Sequence, residues 1–125
     1  MNLSVIIPVF NEEGTVNEII SRVRSVRLEG IELKEIIIVD DGSTDGTKEV
    51  LGQYKENCGI KVFLQPNNKG KGAAVRKGFE LATGDILLVQ DSDLEYNPDE
   101  YPKLLAPILY GNADVVYGSR FSGGD

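Results

Sequence analysis

Three short runs dominated by Ile, Leu and Val, at residues 3–9, 35–39 and 85–90, each stop abruptly at polar residues, and amphipathic segments separate them. Runs this short and this little interrupted fit strands buried on both faces of a parallel sheet, because a sheet with one wet face alternates apolar and polar residues. Between the first and second runs, from 12 to 27, Val16, Ile19, Ile20, Val23 and Val26 recur at three- and four-residue steps, with Glu18, Arg22 and Arg24 on other faces. That spacing predicts an amphipathic helix. After the second run a Ser/Thr/Asp cluster leads into Val50, Leu51 and Tyr54 at helical spacing, which predicts a capped second helix.

The remaining chain continues the alternation. Ile60–Leu64 reads as a shorter strand, Pro66-Asn67-Asn68 as a loop, and residues 72–82 as a small-residue helix burying Val75, Phe79 and Ala82. Beyond the run at 85–90, Asn97-Pro98-Asp99-Glu100 resembles a helix start with an Asn cap and first-turn acids. Leu104, Leu105, Ile108 and Leu109 would form its core face, while Pro102 and Pro107 predict a kink or an irregular first turn. A last strand is expected at 113–117, before a Gly-rich ending. The expected fold is a doubly wound α/β domain over residues 1–125, with a mainly parallel sheet, right-handed crossovers and helices on both faces.

Ligands of such sheets bind beyond the carboxyl ends of the strands, where the winding reverses. Polar residues gather at these ends: Pro8-Val9-Phe10-Asn11-Glu12, Asp40-Asp41, Asp91-Ser92-Asp93 and Gly118-Ser119-Arg120. Four such ends favour one shared cleft over four independent solvated turns. Asp91, Asp93 and Glu95 bring hard oxygen donors close together, where they repel unless a cation sits between them. Mg²⁺ is typically held by one or two carboxylates plus substrate phosphates, so the cluster suggests a metal–diphosphate site. The competing reading is a solvated turn or a helix cap.

A formal net charge of −7 argues against a general nucleic-acid binder, which needs a clustered Lys/Arg surface. Against that background Lys69, Lys71, Arg76 and Lys77, interleaved with Gly70 and Gly72, form a basic island suited to a phosphate. The island is not a Walker loop, since no Lys-Ser/Thr pair follows its glycines, and not a dinucleotide fingerprint, since the glycines do not follow the first strand. No apolar stretch approaches the ~20 residues of a membrane span. The opening residues lack a basic start and a cleavage site, which predicts a cytoplasmic setting. With Cys58 as the single cysteine and no histidine, an internal disulfide, a thiol–imidazole pair and a histidine-rich zinc site are excluded.

Five segments taken in order resemble the family-2 glycosyltransferases of the GT-A fold, and especially the polyprenyl-phosphate branch that includes the dolichol-phosphate mannosyltransferases. Ser4-Val5-Ile6-Ile7-Pro8-Val9-Phe10-Asn11-Glu12-Glu13 is similar to the family's opening strand and nucleotide-contacting turn, and Val39-Asp40-Asp41-Gly42-Ser43-Thr44-Asp45-Gly46-Thr47 to its second-strand signature. Asn68-Lys69-Gly70-Lys71-Gly72-Ala73-Ala74 resembles its Gly-Lys-Gly helix entry, Asp91-Ser92-Asp93 its DxD metal motif, and Val115-Val116-Tyr117-Gly118-Ser119-Arg120 a segment returning an arginine to the site. The likeness covers nearly the whole chain.

The resemblance implies a nucleotide site of Pro8, Phe10, Asn11, Glu12, Asp40, Asp41, Gly70, Lys71, Gly72 and Arg120, and a Mg²⁺ or Mn²⁺ site of Asp91, Asp93 and Glu95, where the family often has Gln in place of Glu95. Phe10 would offer a face to the base, Glu12 would accept from sugar hydroxyls and Asp41 from a ring N–H, while Lys71 or Arg120 would neutralise phosphate charge. Each position has a plainer alternative: a strand-end aromatic for Phe10, a first-turn acid for Glu12, loop caps for Asp40 and Asp41, and a solvated helix-start lysine for Lys71. The implied reaction is metal-assisted inverting transfer of a sugar from a UDP- or GDP-sugar to a polyprenyl (dolichyl or undecaprenyl) phosphate. An acceptor already ionised at neutral pH asks little of a general base, and no residue here presents itself as one.

Family catalytic domains run longer, so the chain reads as the donor-binding half of a larger enzyme, acting at the cytoplasmic face of the membrane. A donor-binding or interaction domain without turnover is the alternative. The family's sheet receives a later strand beside the fourth, which predicts an exposed edge here and a homodimer through it. A phosphoacceptor receiver would need acids where Asn11-Glu12 and Gln65 stand and a lysine at Arg120. A sugar nucleotidyltransferase would need a Gly-rich loop where the chain has Pro8-Val9-Phe10-Asn11.

Overall fold

A computed structural model of the chain describes residues 1–55 and 59–90, together with the backbone of 115–118. Five strands, β1 (Asn2–Val9), β2 (Glu32–Asp40), β3 (Ile60–Leu64), β4 (Ile86–Gln90) and β5 (Val115–Gly118), alternate with helices α1 (Val16–Ser25), α2 (Thr47–Gly52) and α3 (Lys71–Leu81). The sheet order is β3-β2-β1-β4-β5 and every neighbouring pair is parallel.

The apolar runs become central strands because alternate side chains feed two cores. Val5, Ile7 and Val9 of β1, Ile36 and Ile38 of β2, and Ile86 and Leu88 of β4 pack with Val16, Ile19, Ile20 and Val23 of α1 and Leu51 of α2. The intervening Ile6, Ile37, Val39 and Val89 pack with Ala74 and Val75 of α3. Helices thus cover both faces, as the doubly wound expectation required. Fully burying one such side chain stabilises by about 1.5–3 kcal/mol, so the two clusters carry most of the fold's cohesion. Gly78 lets α3 settle on the sheet, since a Cβ there would collide with the side chain of Ile6.

The winding runs outward from β1 through β2 to β3, then α3 carries the chain back across the sheet to β4 on the far side of β1. The direction therefore reverses between β1 and β4. The edge expected to be open beside β4 is filled by β5, with Leu87 opposite Val115 and Gln90 opposite Gly118. The fourth strand is thus interior, and the proposed basis for a homodimer through its edge is removed.

Three boundaries differ from the sequence pattern for reasons the structure shows. The first helix begins at Val16 rather than at 12, because Asn11 adopts a left-handed backbone (φ 52°) and Glu12 O accepts from Thr15 N at 3.1 Å and Val16 N at 3.0 Å in a preceding turn. It ends at Ser25 because Val26 is extended. The second strand starts early, at Glu32, since Glu32 N donates to Met1 O at 2.9 Å and joins the sheet ahead of the apolar residues. The helix expected at 97–109 lies outside the described residues, as does Cys58.

At the amino end of the sheet Glu35, only 5% exposed, ties four segments together. Its carboxylate accepts from Ser4 Oγ of β1 at 2.6 Å, and from Thr83 N at 2.6 Å and Thr83 Oγ1 at 3.0 Å between α3 and β4, and pairs with Lys61 Nζ of β3 at 2.8 Å. Burial alone would raise the pKa of Glu35; the Lys61, Ser4 and Thr83 partners outweigh it and lower the value from 4.5 to about 2. Ser4 Oγ also accepts from Gly84 N at 2.9 Å.

Candidate functional site at the carboxyl end of the sheet

Where β1 ends, Pro8 is buried opposite Val39, and Phe10, 43% exposed, is the first side chain beyond the strand to face solvent. Asn11 follows with positive φ, a conformation Asn tolerates better than other residues bearing a Cβ. Its Oδ1 accepts from Thr44 N at 2.8 Å and Asp45 N at 3.3 Å, and its own N–H donates to Ser43 Oγ at 2.8 Å. Glu12 N donates to Thr47 Oγ1 at 3.0 Å, and the Glu12 carboxylate accepts from Thr15 Oγ1 at 2.8 Å. The turn after β1 is thereby fastened to the loop after β2, leaving Phe10 at the surface.

The fully buried Asp40 anchors that loop from below: its carboxylate accepts from Ser43 N at 3.0 Å and from the Ser43 hydroxyl. Asp45 closes the loop by accepting from Thr47 N at 2.9 Å and from the Thr47 hydroxyl. The Thr47 hydroxyl is the main cause of the lowered pKa of Asp45.

Asp41 turns the other way, toward α3. It is 5% exposed, its N–H donates to Val9 O at 2.8 Å, and its carboxylate takes Gln65 Nε2 at 2.7 Å, Lys69 N at 2.7 Å and Gly70 N at 3.0 Å. A carboxylate offers about four lone-pair sites, so about one remains for a further donor. Gly42 (φ +74°) sits so close below this loop that a Cβ would lie 2.6 Å from Asn67 C and Asn68 N. Gly70 (φ +96°) then turns the chain into α3, and Lys71 and Gly72 are exposed on its first turn.

Phe10, Asn11, Glu12, Asp40, Asp41 and the entry to α3 at Gly70, Lys71 and Gly72 therefore come together at one end of the sheet. Asp91, Asp93, Glu95 and Arg120 lie outside the described residues. The strand that leads to the acidic motif, β4, lies directly beside β1 and ends at the fully buried Gln90. Gln65 was not among the residues expected at this site. Its signal in the sequence was only a polar residue directly after a strand; its burial in the structure is what separates it from a solvated loop residue. A concavity of about 630 Å³ at the opposite end of the sheet, lined by Arg24, Arg27, Glu29 and Glu32 around Val26 and Leu28, brings no convergent chemistry. No helix of the described residues is long and apolar enough to cross a membrane.

Comparison with known proteins agrees with this geometry. The family described as Glycosyl transferase family 2 matches residues 4–125. The chain is 39% identical over 121 residues to dolichol-phosphate mannosyltransferase of Pyrococcus furiosus, covering 97% of this chain and 34% of that protein. It is 38% identical over 116 residues to the undecaprenyl-phosphate 4-deoxy-4-formamido-L-arabinose transferase of Aeromonas hydrophila, covering 91% of this chain and 35% of that protein. Among solved structures, glucosyl-3-phosphoglycerate synthase from Mycobacterium tuberculosis, in complex with Mn²⁺ and UDP-glucose, superposes with a TM-score of 0.69 at 30% identity, covering 88% of this chain and 40% of that one. The chain thus spans about a third of the length of the curated relatives it matches.

Proposed function

The chain belongs to glycosyltransferase family 2, and from that premise we propose that it binds a nucleoside-diphosphate sugar and serves its transfer to a polyprenyl phosphate at the cytoplasmic face of a membrane. The observation that carries this reading is the gathering at the carboxyl ends of β1 and β2 of exposed Phe10, of Asn11 and Glu12 bonded to the loop after β2, and of Asp41 bonded to the entry of α3. Sheets of this topology take ligands at that end. The polyprenyl-phosphate acceptor is suggested by the names of the two relatives, and the UDP-type donor and metal by the contents of the solved synthase complex.

In this reading Phe10 stacks on the base, the remaining acceptor site of Asp41 takes a base N–H, and Glu12 accepts from ribose hydroxyls. Lys71, with Arg120, neutralises phosphate charge, and Gly70 and Gly72 leave room for close backbone approach. Asp91, Asp93 and Glu95 follow the interior strand β4, and as hard oxygen donors they suit Mg²⁺ or Mn²⁺. A bound metal would act as Lewis acid on the diphosphate. An acceptor phosphate oxygen forms the new bond to the anomeric carbon as the bond to the donor diphosphate breaks, inverting that centre and releasing the nucleoside diphosphate.

Calorimetric titration with UDP and with GDP, each with Mn²⁺ or Mg²⁺ and again with chelator, tests the reading. Metal-dependent binding of one nucleotide, weakened at least about tenfold in Asp93→Ala, is the expected result. Failure of both nucleotides to bind in the presence of metal would overturn it.

A further inference from the structure

We infer that Gln65, at the end of β3, is a positioning residue for the nucleotide site, acting through Asp41. The inference rests on the nucleotide-binding reading and names a residue that the reading does not require. Gln65 is 5% exposed and doubly fixed: its backbone N–H donates to Asp40 O at 2.9 Å and its side-chain Nε2 to Asp41 Oδ1 at 2.7 Å. The same Asp41 oxygen takes Lys69 N at 2.7 Å, while the other takes Gly70 N at 3.0 Å. The Gln65 amide thus completes a set of donors that holds the carboxylate in one orientation.

That orientation has two consequences. The carboxylate seats the backbone of Lys69 and Gly70, which fixes the direction in which Lys71 and Gly72 enter α3. It also determines where the unused acceptor site of Asp41 points, and hence which ligand donor can reach it. A neutral donor suits this place. A lysine would cancel the charge of Asp41, and a shorter or apolar side chain would leave the carboxylate held by the two backbone N–H groups alone, with less to fix its orientation.

The charged residues adjoining this joint are Asp40, which ends β2, Asp41 after it, and Lys69 and Lys71 before and within α3; Lys61 of β3 is engaged by Glu35 at the other end of the sheet, and Arg76, Lys77 and Glu80 lie farther along α3. Replacing Gln65 by the isosteric Glu sets a second carboxyl against Asp41. Two carboxyls at hydrogen-bond distance share a proton, and the pair's upper pKa rises. Gln65→Glu therefore lacks the donor at neutral pH and regains an O–H donor on acidification.

The experiment titrates UDP and GDP, with Mn²⁺, into the unmodified chain and into Gln65→Glu and Gln65→Met at pH 7.5 and 5.5, with melting temperatures taken alongside. The expected result at pH 7.5 is Kd about tenfold weaker for Gln65→Glu, with the ratio to the unmodified chain at the same pH returning toward one at pH 5.5. Gln65→Met should be weaker at both pH values, by a similar factor. Ratios near one for both variants at both pH values, or a Gln65→Glu ratio that does not fall on acidification, would overturn the inference. If Gln65→Glu does not fold at pH 7.5, the Gln65→Met ratio decides: weakened binding with an unchanged melting temperature supports positioning, and unchanged binding refutes it. If the unmodified chain binds neither nucleotide, it is the nucleotide-binding reading that fails.

Discussion

Asn11 joins two loops with one side chain, and the backbone conformation that allows this is one few residues accept. Asn11→Ala removes the acceptor for Thr44 N and Asp45 N and leaves an alanine at φ 52°. The expected cost is about 1–3 kcal/mol of stability, measured by urea unfolding, together with weaker nucleotide binding as Phe10 loses its fixed place. Asn11→Gly should recover part of the stability, because glycine accepts the conformation, but not the loop-to-loop bonds. A Gly variant as unstable as the Ala variant would show that backbone strain contributes little there. At this scale the sequence was informative about residue identity more than residue role. Asp41 was expected to face a ligand, yet most of its acceptor capacity holds the loop before α3, because a partner's backbone N–H depends on a fold the motif does not display. Gln65 counted only as an acid missing from a receiver, because a glutamine after a strand looks like any solvated loop residue until its burial is known.

Among the elements, α3 depends most on a small side chain. Gly78 faces Ile6, and a methyl group placed on it would come within 3.1 Å of Ile6 Cγ1 and closer still to Cγ2. Gly78→Ala gains helix propensity of about 1 kcal/mol but must displace a β1 side chain inside a packed core, which costs about 1–3 kcal/mol. A net loss is expected, and Gly78→Val should lose more. A melting temperature equal to or above that of the unmodified chain in Gly78→Ala would mean that β1 yields more easily than the packing implies. Strands were readable because their apolar runs are short and dense, and Ile60–Leu64 was placed at its observed bounds. Helix ends were less so: α1 is cut at its start by the Asn11 conformation and the local turn at Glu12, which tertiary bonds to Ser43 and Thr47 accompany and which leave the helical spacing of apolar residues untouched.

For the whole molecule, Glu35 is the joint of the amino end, linking β1, β2, β3 and the segment between α3 and β4. Its pKa is depressed in the fold, from 4.5 to about 2, so the ionised form is the one the fold prefers. Its contribution is complete above the unfolded value and is lost as pH falls from 4.5 through about 2. Glu35→Gln should therefore cost about 1–3 kcal/mol near neutrality, and the gap to the unmodified chain should narrow over that acid range. A gap that stays constant down to pH 2 would contradict the assignment. Overall topology was predicted well by strand-helix alternation, and the last strand expected at 113–117 is present as β5, but its place beside β4 was not foreseen, since pairing between 87–90 and 115–118 leaves no periodic signature.

The position of β1 at the middle of the sheet also governs the order in which the chain assembles. Leu3 meets Leu33 on one side and Ile86 on the other, so closing the second contact spans a much longer loop and costs about 0.9 kcal/mol more in chain entropy. During synthesis β1, β2 and β3 emerge before β4 exists, and one side of β1 stays without its backbone partners until residue 86 has left the ribosome. A nascent chain stalled just short of β4 should be the most adhesive species this sequence passes through, and that open side of β1 is a place for a chaperone to hold it.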